Sequence, residues 1–348
     1  MGGRAFLQNP AFTSSSFPRL PPELYFELRD FYLSALKPLY ERVEIPAEPP
    51  SKADYGDIDF LVLGPIARNA SDDGSNHEDI KRALGAVDVL AMSENRTSNY
   101  AVPLKRNHHR SCNFASSDGQ KYVQVDVHVC ASELELRNIL LIHGYGDLGM
   151  IITATARACG LSIGTKGMKM TSPHPNPPTL LTSSASEAFE FMGLSLSTWE
   201  KGFTTQEAIF RFAVTSRFFA FAKLDTSGNH KLGEERTMYG EFLSWARIHA
   251  TSPGCSKDVE EVKKEALEHF GKKGEWDAMV RDKHEREWLK GHFNGRLVQE
   301  WTGLNGRGIK MVMDKIRSDA GGERMLVNKD SAELITLAQE AKAQLYLR

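Results

Sequence analysis

With 348 residues, 41% of them hydrophobic, the chain can bury a substantial core, which excludes disorder as its main theme and leaves room for two compact regions. Its formal net charge of −2 gives no global field to draw in a polyanion, so any nucleic-acid contact must come from a local patch. Cys112, Cys130, Cys159 and Cys255 form no Cys-x-x-Cys pair, and no apolar run is long enough for a membrane span. A zinc knuckle, a disulfide framework and membrane insertion are therefore not expected, and a soluble protein of the reducing cytoplasm or nucleus is.

Residues 1–22 mix Gly, Ser and Pro without periodicity and read as a loose arm. After a Pro-Pro start, Leu24, Phe26, Leu28, Phe31, Leu33, Leu36 and Leu39 recur at helical spacing and predict an amphipathic helix over 23–40. A short apolar stretch follows at 43–46. Residues 57–63 and 122–130 alternate as half-buried strands do. Between them lie a polar loop at 71–76, a short helix at 78–84, a strand end running into a basic loop at 100–110, and a hairpin turn containing Asp118-Gly119. After Cys130 the pattern turns helical up to Arg348, broken at 171–179, 225–233 and 252–254. Strands first and helices later predict an α+β domain over 23–170, a small mixed sheet with helices, followed by a mostly α-helical domain over 180–348.

The informative string is Gly56-Asp57-Ile58-Asp59-Phe60-Leu61-Val62-Leu63. Residues two apart on a strand share a face, so Asp57 and Asp59 project together while Ile58, Phe60 and Val62 cover the other side. In Val123-Gln124-Val125-Asp126-Val127-His128-Val129 the valines form one face and Gln124, Asp126 and His128 the other. If the two strands are neighbours, Asp126 meets Asp57 and Asp59. Three carboxylates so placed are hard oxygen ligands suited to Mg²⁺ or Mn²⁺, with positions left open for triphosphate oxygens. The alternative is that they are solvated groups on an exposed sheet face.

These residues resemble a known family. Ser51-Lys52-Ala53-Asp54-Tyr55-Gly56-Asp57-Ile58-Asp59 looks like the segment leading into the metal-binding Asp-x-Asp of DNA polymerase β-like, family X nucleotidyltransferases, and Gln124-Val125-Asp126-Val127 looks like their third-aspartate strand. His143-Gly144-Tyr145 falls where they place a turn beside the nucleotide sugar, and Gly160-Leu161-Ser162-Ile163 with Lys166-Gly167-Met168-Lys169 is similar to a further stretch. The combination with the helical tail also resembles fungal proteins carrying this palm. The resemblance spans roughly 42–170. It implies a nucleotidyltransferase palm in which Asp57, Asp59 and Asp126 hold metal and catalyse, with Ser51, Lys52, Gly56, His143 and Gly144 binding nucleoside triphosphate. The implied reaction moves a nucleoside monophosphate to a hydroxyl, on an RNA or DNA end or on another acceptor.

Two departures stand out. Where family members carry a Gly-Ser turn that cradles phosphates, this chain has Ala47-Glu48-Pro49-Pro50, whose glutamate repels triphosphate and whose prolines donate no N–H. Where they carry an asparagine facing the base, this chain has residues near Gly149. A palm-derived binding scaffold without turnover is thus the rival reading.

Other signals carry less. Lys105, Arg106 and Arg110 either meet phosphate or form a solvated loop, and His108, His109 and His128 lack partners at metal-ligand spacing. The stretch 225–236 departs from a calcium loop at His230 and Arg236, so no EF-hand is expected. Phe210, Phe212, Phe218, Phe219 and Phe221 read as helix core rather than a base-stacking platform. Gly295, Gly303, Gly306 and Gly308 either let Arg296, Arg307 and Lys310 approach phosphate or cap two helices joined by a turn.

Overall fold

In the computed structural model, which describes residues 5–13, 15–66, 76–92, 96–105, 119–225, 236–250 and 254–346, the two alternating segments form the middle of a mixed five-stranded sheet. Its strands are β1 (Tyr40–Glu44), β2 (Asp57–Pro65), β3 (Asp88–Met92), β4 (Thr97–Pro103) and β5 (Tyr122–Val129), in spatial order β1-β2-β5-β4-β3. β2 and β5 run parallel, and the other neighbouring pairs are antiparallel. A parallel pair needs a crossover, and the chain makes it through helix α2 (His77–Leu84) and the β3–β4 pair.

One face of the sheet is dry. Ile58, Phe60 and Val62 of β2 join Val123, Val125, Val127 and Val129 of β5 beneath helix α1 (Pro22–Leu36), whose Leu24, Leu28, Tyr32 and Leu36 point inward, and beneath Ile80 and Leu84 of α2. Pro22 starts α1 because proline suits the first helical position, where its missing N–H is no loss, and Asn76 caps α2 by accepting from the Asp79 N–H. On the opposite face, helix α3 (Glu133–His143) covers only the far end of the central strands. There Leu136, Ile139 and Leu140 pack on Leu61, Leu63 and Cys130. The near end, where β2 begins with Asp57 and Asp59, carries carboxylates instead.

The segment 1–22 is not a loose arm where it is described. A short 3-10 helix, Ala5–Gln8, buries Phe6, on which Phe17 stacks and Phe12 packs edge-on, against Tyr122 and Ala101 on the sheet. The Tyr122 N–H donates to Ser16 O at 2.8 Å and Leu20 bridges to Tyr55, so backbone pairing continues the aromatic contact.

Helix α4 (Leu148–Ala158) follows α3, and then a region expected to be helical gives three short strands: β6 (Leu161–Gly164), β7 (Gly167–Met170) and β8 (Thr179–Thr182). Chain packing divides the protein into Met1–Met170 with Leu180–Lys263, and Thr171–Thr179 with Lys264–Arg348. The boundary expected between 170 and 180 thus lies near Lys263. Helices α5 (Ala185–Phe191), α6 (Leu196–Lys201), α7 (Gln206–Val214), α8 (Phe221–Asp225) and α9 (Thr237–His249) belong with the sheet. Phe210, Phe212, Phe218 and Phe219 are buried in this part, as their clustering predicts, and Phe221 is half-buried.

The second unit is built of helices. Leu289, Phe293, Val298, Val312, Ile316, Leu334 and Ala338 make its core. Its glycine-rich stretch is a pair of caps: Gly303, with φ of 69°, closes Gly295–Thr302, and Gly306 precedes Arg307–Asp319. Among the described residues no single helix is long and apolar enough to cross a membrane. Arg106, His108, His109, Arg110, Cys112, the hairpin turn at Asp118 and most of the 225–233 loop lie outside the described residues.

Docking of the N-terminal segment has a direct consequence. Phe6→Ala is expected to lower unfolding free energy by about 2–4 kcal/mol in a chemical denaturation measurement, as deletion of a buried aromatic does. A change below ~0.5 kcal/mol contradicts docking.

Candidate functional site

The parallel register sets Asp59 opposite Asp126 and Asp57 opposite Gln124. All four side chains share one face with His128, which pairs across to Leu61 and Thr97. The three predicted carboxylates are therefore brought together at the end of that face which α3 does not cover. Asp59 stays exposed, yet the surrounding protein desolvates it enough to raise its pKa well above the usual carboxylate range. The charges of Asp57, Asp126 and Glu48 push Asp59 further in the same direction, and Lys52 opposes them.

Asp126 is pushed up to about 6, chiefly by desolvation and then by Asp57, against hydrogen bonds that favour its charged form. Those bonds come from Asn99 on β4, at 2.5 Å to Oδ1, and from Gln124 Nε2, at 2.9 Å to Oδ1 and 3.0 Å to Oδ2. Among the described residues, no three His, Cys, Asp or Glu side chains stand together at ligand spacing. The donor set still fits a hard divalent cation in kind: three carboxylates, two held above their ordinary pKa by burial and mutual repulsion.

Glu48 is also here. Tyr25 Oη donates to Glu48 Oε1 at 2.9 Å and Lys52 Nζ pairs with Oε2 at 2.7 Å. Burial, then Glu48, raise the Tyr25 pKa, and Tyr25 stacks on Tyr55 with ring centres 3.7 Å apart. Lys52 Nζ lies 4.4 Å from the centre of the Tyr55 ring, so the lysine expected to meet phosphate is held by an acid and an aromatic face. Ser51 is exposed with φ of 60°, and Gly56 is buried where the chain enters β2.

His143 and Gly144 end α3, and the Tyr145 N–H donates to Ala47 O at 2.5 Å. The turn after α3 and the segment around Glu48, both expected at the nucleotide, are thus in contact. His143 is exposed, with its pKa lowered by partial desolvation, and its charge acts on His128. His128 itself bonds Thr97 Oγ1 through Nδ1 at 2.9 Å and faces Glu135, with its Nε2 3.8 Å away. Burial lowers its pKa, which suits a neutral structural imidazole. At Gly149 a Cβ would collide with the Ile142 carbonyl across the sharp bend between α3 and α4, so an asparagine cannot occupy that position.

Sequence reasoning missed Asn99, whose partner depends on the β4–β5 register, and gave Gln124 no role although it shares the Asp126 face. A scan against protein-family models finds no match to this chain, and a search of curated proteins finds none either.

A carboxylate whose folded pKa is raised lowers stability above that pKa, and the loss is relieved as pH falls through it. Asp59→Asn is therefore expected to raise the metal-free Tm at pH 7.5 by about 2–5 °C. The gain should shrink as the pH is lowered and wild-type Asp59 takes up its own proton. A variant less stable than wild type at pH 7.5 contradicts the crowding of charge described here.

Proposed function

We propose that the chain is a metal-dependent nucleotidyltransferase with a polymerase β-type palm, moving a nucleoside monophosphate from a nucleoside triphosphate to a hydroxyl, with an RNA or DNA end as acceptor. The observation that carries this reading is the register pairing of Asp59 with Asp126 on parallel strands, with Asp57 beside them on the same face beyond the reach of α3. The raised pKa values of Asp59 and Asp126 support it, since clustered carboxylates that repel one another mark sites built for a cation or a proton.

Asp57, Asp59 and Asp126 would hold Mg²⁺ or Mn²⁺, which when bound neutralises phosphate oxygens and the leaving pyrophosphate. In the transfer, the acceptor hydroxyl oxygen attacks the α-phosphorus. The bond from that phosphorus to the oxygen bridging to the β-phosphate breaks, and pyrophosphate leaves with the electron pair. The hydroxyl proton passes to a carboxylate oxygen of Asp126, which Asn99 and Gln124 hold in place by hydrogen bonds.

One observation favours the rival scaffold. Glu48, in the stretch that the resemblance sets at a phosphate cradle, already pairs with Lys52. For transfer to proceed, triphosphate and its cation must draw Lys52 away from Glu48. A scaffold needs no such exchange and binds nucleotide without metal.

Incubation with each labelled nucleoside triphosphate, Mg²⁺ or Mn²⁺, and a mixture of RNA and DNA oligonucleotides separates the two. The proposal predicts labelled acceptor with the wild type and background labelling with Asp57→Ala/Asp59→Ala. No labelling, together with nucleotide binding indifferent to metal and to that double substitution, supports the scaffold instead.

A further inference from the structure

We infer that Gln124 is a positioning residue for Asp126, and that the backbone N–H of Ala5 in the N-terminal segment fixes which way its amide points. The inference rests on the nucleotidyltransferase reading. Gln124 and Asn99 are almost fully buried, at 3% and 6% exposure, and a buried amide without partners is costly. Gln124 has partners at both ends. Its Nε2 donates to both oxygens of Asp126, and its Oε1 accepts from the Ala5 N–H at 2.9 Å.

The two ends cannot be exchanged. An ionised carboxylate only accepts and a backbone N–H only donates, so one amide orientation satisfies both neighbours and the flipped one satisfies neither. Ala5 in turn is held by its place at the start of the 3-10 helix and by Phe6, which is wholly buried with Phe12 and Phe17.

The geometry also distinguishes the two oxygens of Asp126. Oδ1 receives hydrogen bonds from both Asn99 and Gln124, whereas Oδ2 receives one, from Gln124. Since each carboxylate oxygen offers about two lone-pair sites, Oδ2 is the one left to meet a cation or take up a proton. The N-terminal segment, far in sequence from the aspartates, thus orients the group on which the proposed chemistry turns.

The test compares full-length Ala5→Pro, Ala5→Gly and Gln124→Met with wild type and with Asp57→Ala/Asp59→Ala. It measures Mn²⁺ binding by calorimetry, thermal unfolding, and kcat and KM on the acceptor found above at saturating Mn²⁺. Ala5→Pro removes one N–H at the first position of a helical turn, where proline is accommodated, so it carries the test even if Gln124→Met fails to fold.

Ala5→Pro and Gln124→Met should weaken Mn²⁺ binding by about 10–100-fold and lower kcat with KM little changed, as loss of a group supporting a metal ligand does. Ala5→Gly, which keeps the N–H, should behave as wild type. Wild-type Mn²⁺ affinity in Ala5→Pro and Gln124→Met, when Asp57→Ala/Asp59→Ala abolishes binding, overturns the positioning role and leaves the enzymatic reading intact. An effect in Gln124→Met alone overturns the part assigned to Ala5. Mn²⁺ binding that survives Asp57→Ala/Asp59→Ala overturns the reading on which the inference rests.

Discussion

The parallel register between β2 and β5 is the constraint on which the rest depends. It sets Asp59 beside Asp126, and it is fixed from the other side of the sheet, where Ile58, Phe60, Val125 and Val127 must all face α1. A slip of one residue would turn the aspartates into that core and the apolar residues onto the opposite face. The burial of ordinary valines and leucines is therefore what holds three like charges together. Their repulsion is small beside the apolar area that a change of register would expose.

The same face shows how a local conflict is contained. α3 covers the far end with Leu136, Ile139 and Leu140 but stops short of the carboxylates, which keep access to solvent while protein crowds them. Hydrogen bonds from Asn99 and Gln124 hold the Asp126 charge in place without cancelling it, and Glu48 adds a fourth acid tied to Lys52 and Tyr25. Conflicts of this kind concentrate where a site must bind something that the bare chain lacks.

Much of this was legible in the sequence, and what was not has physical reasons. The aspartate strands were readable because a period of two over seven or eight residues fixes both face and partner type. The glycines of the second unit were readable as caps because few backbone positions call for them. Phe6, Phe12 and Phe17 were read as part of a loose arm because an irregular segment has no period to reveal which surface it meets. β6 and β7, with four residues each, are too short for alternation to stand out from the helical pattern around them. Asn99 became visible only once the sheet order placed β4 beside β5, and Glu48, legible as a departure from the phosphate-cradling turn, showed its ties to Tyr25 and Lys52 only in the fold.

The central claim is that Asp57, Asp59 and Asp126 together hold a divalent cation that in turn holds a triphosphate. Diffraction from crystals grown with Mn²⁺ and a non-hydrolysable nucleoside triphosphate analogue tests it most directly, because the anomalous signal of manganese marks the ion without reference to any assay. A manganese peak is expected between the Asp59 carboxylate and Asp126 Oδ2, with the triphosphate beside it. Nucleotide bound with no manganese at the aspartates, or manganese found only elsewhere, contradicts it.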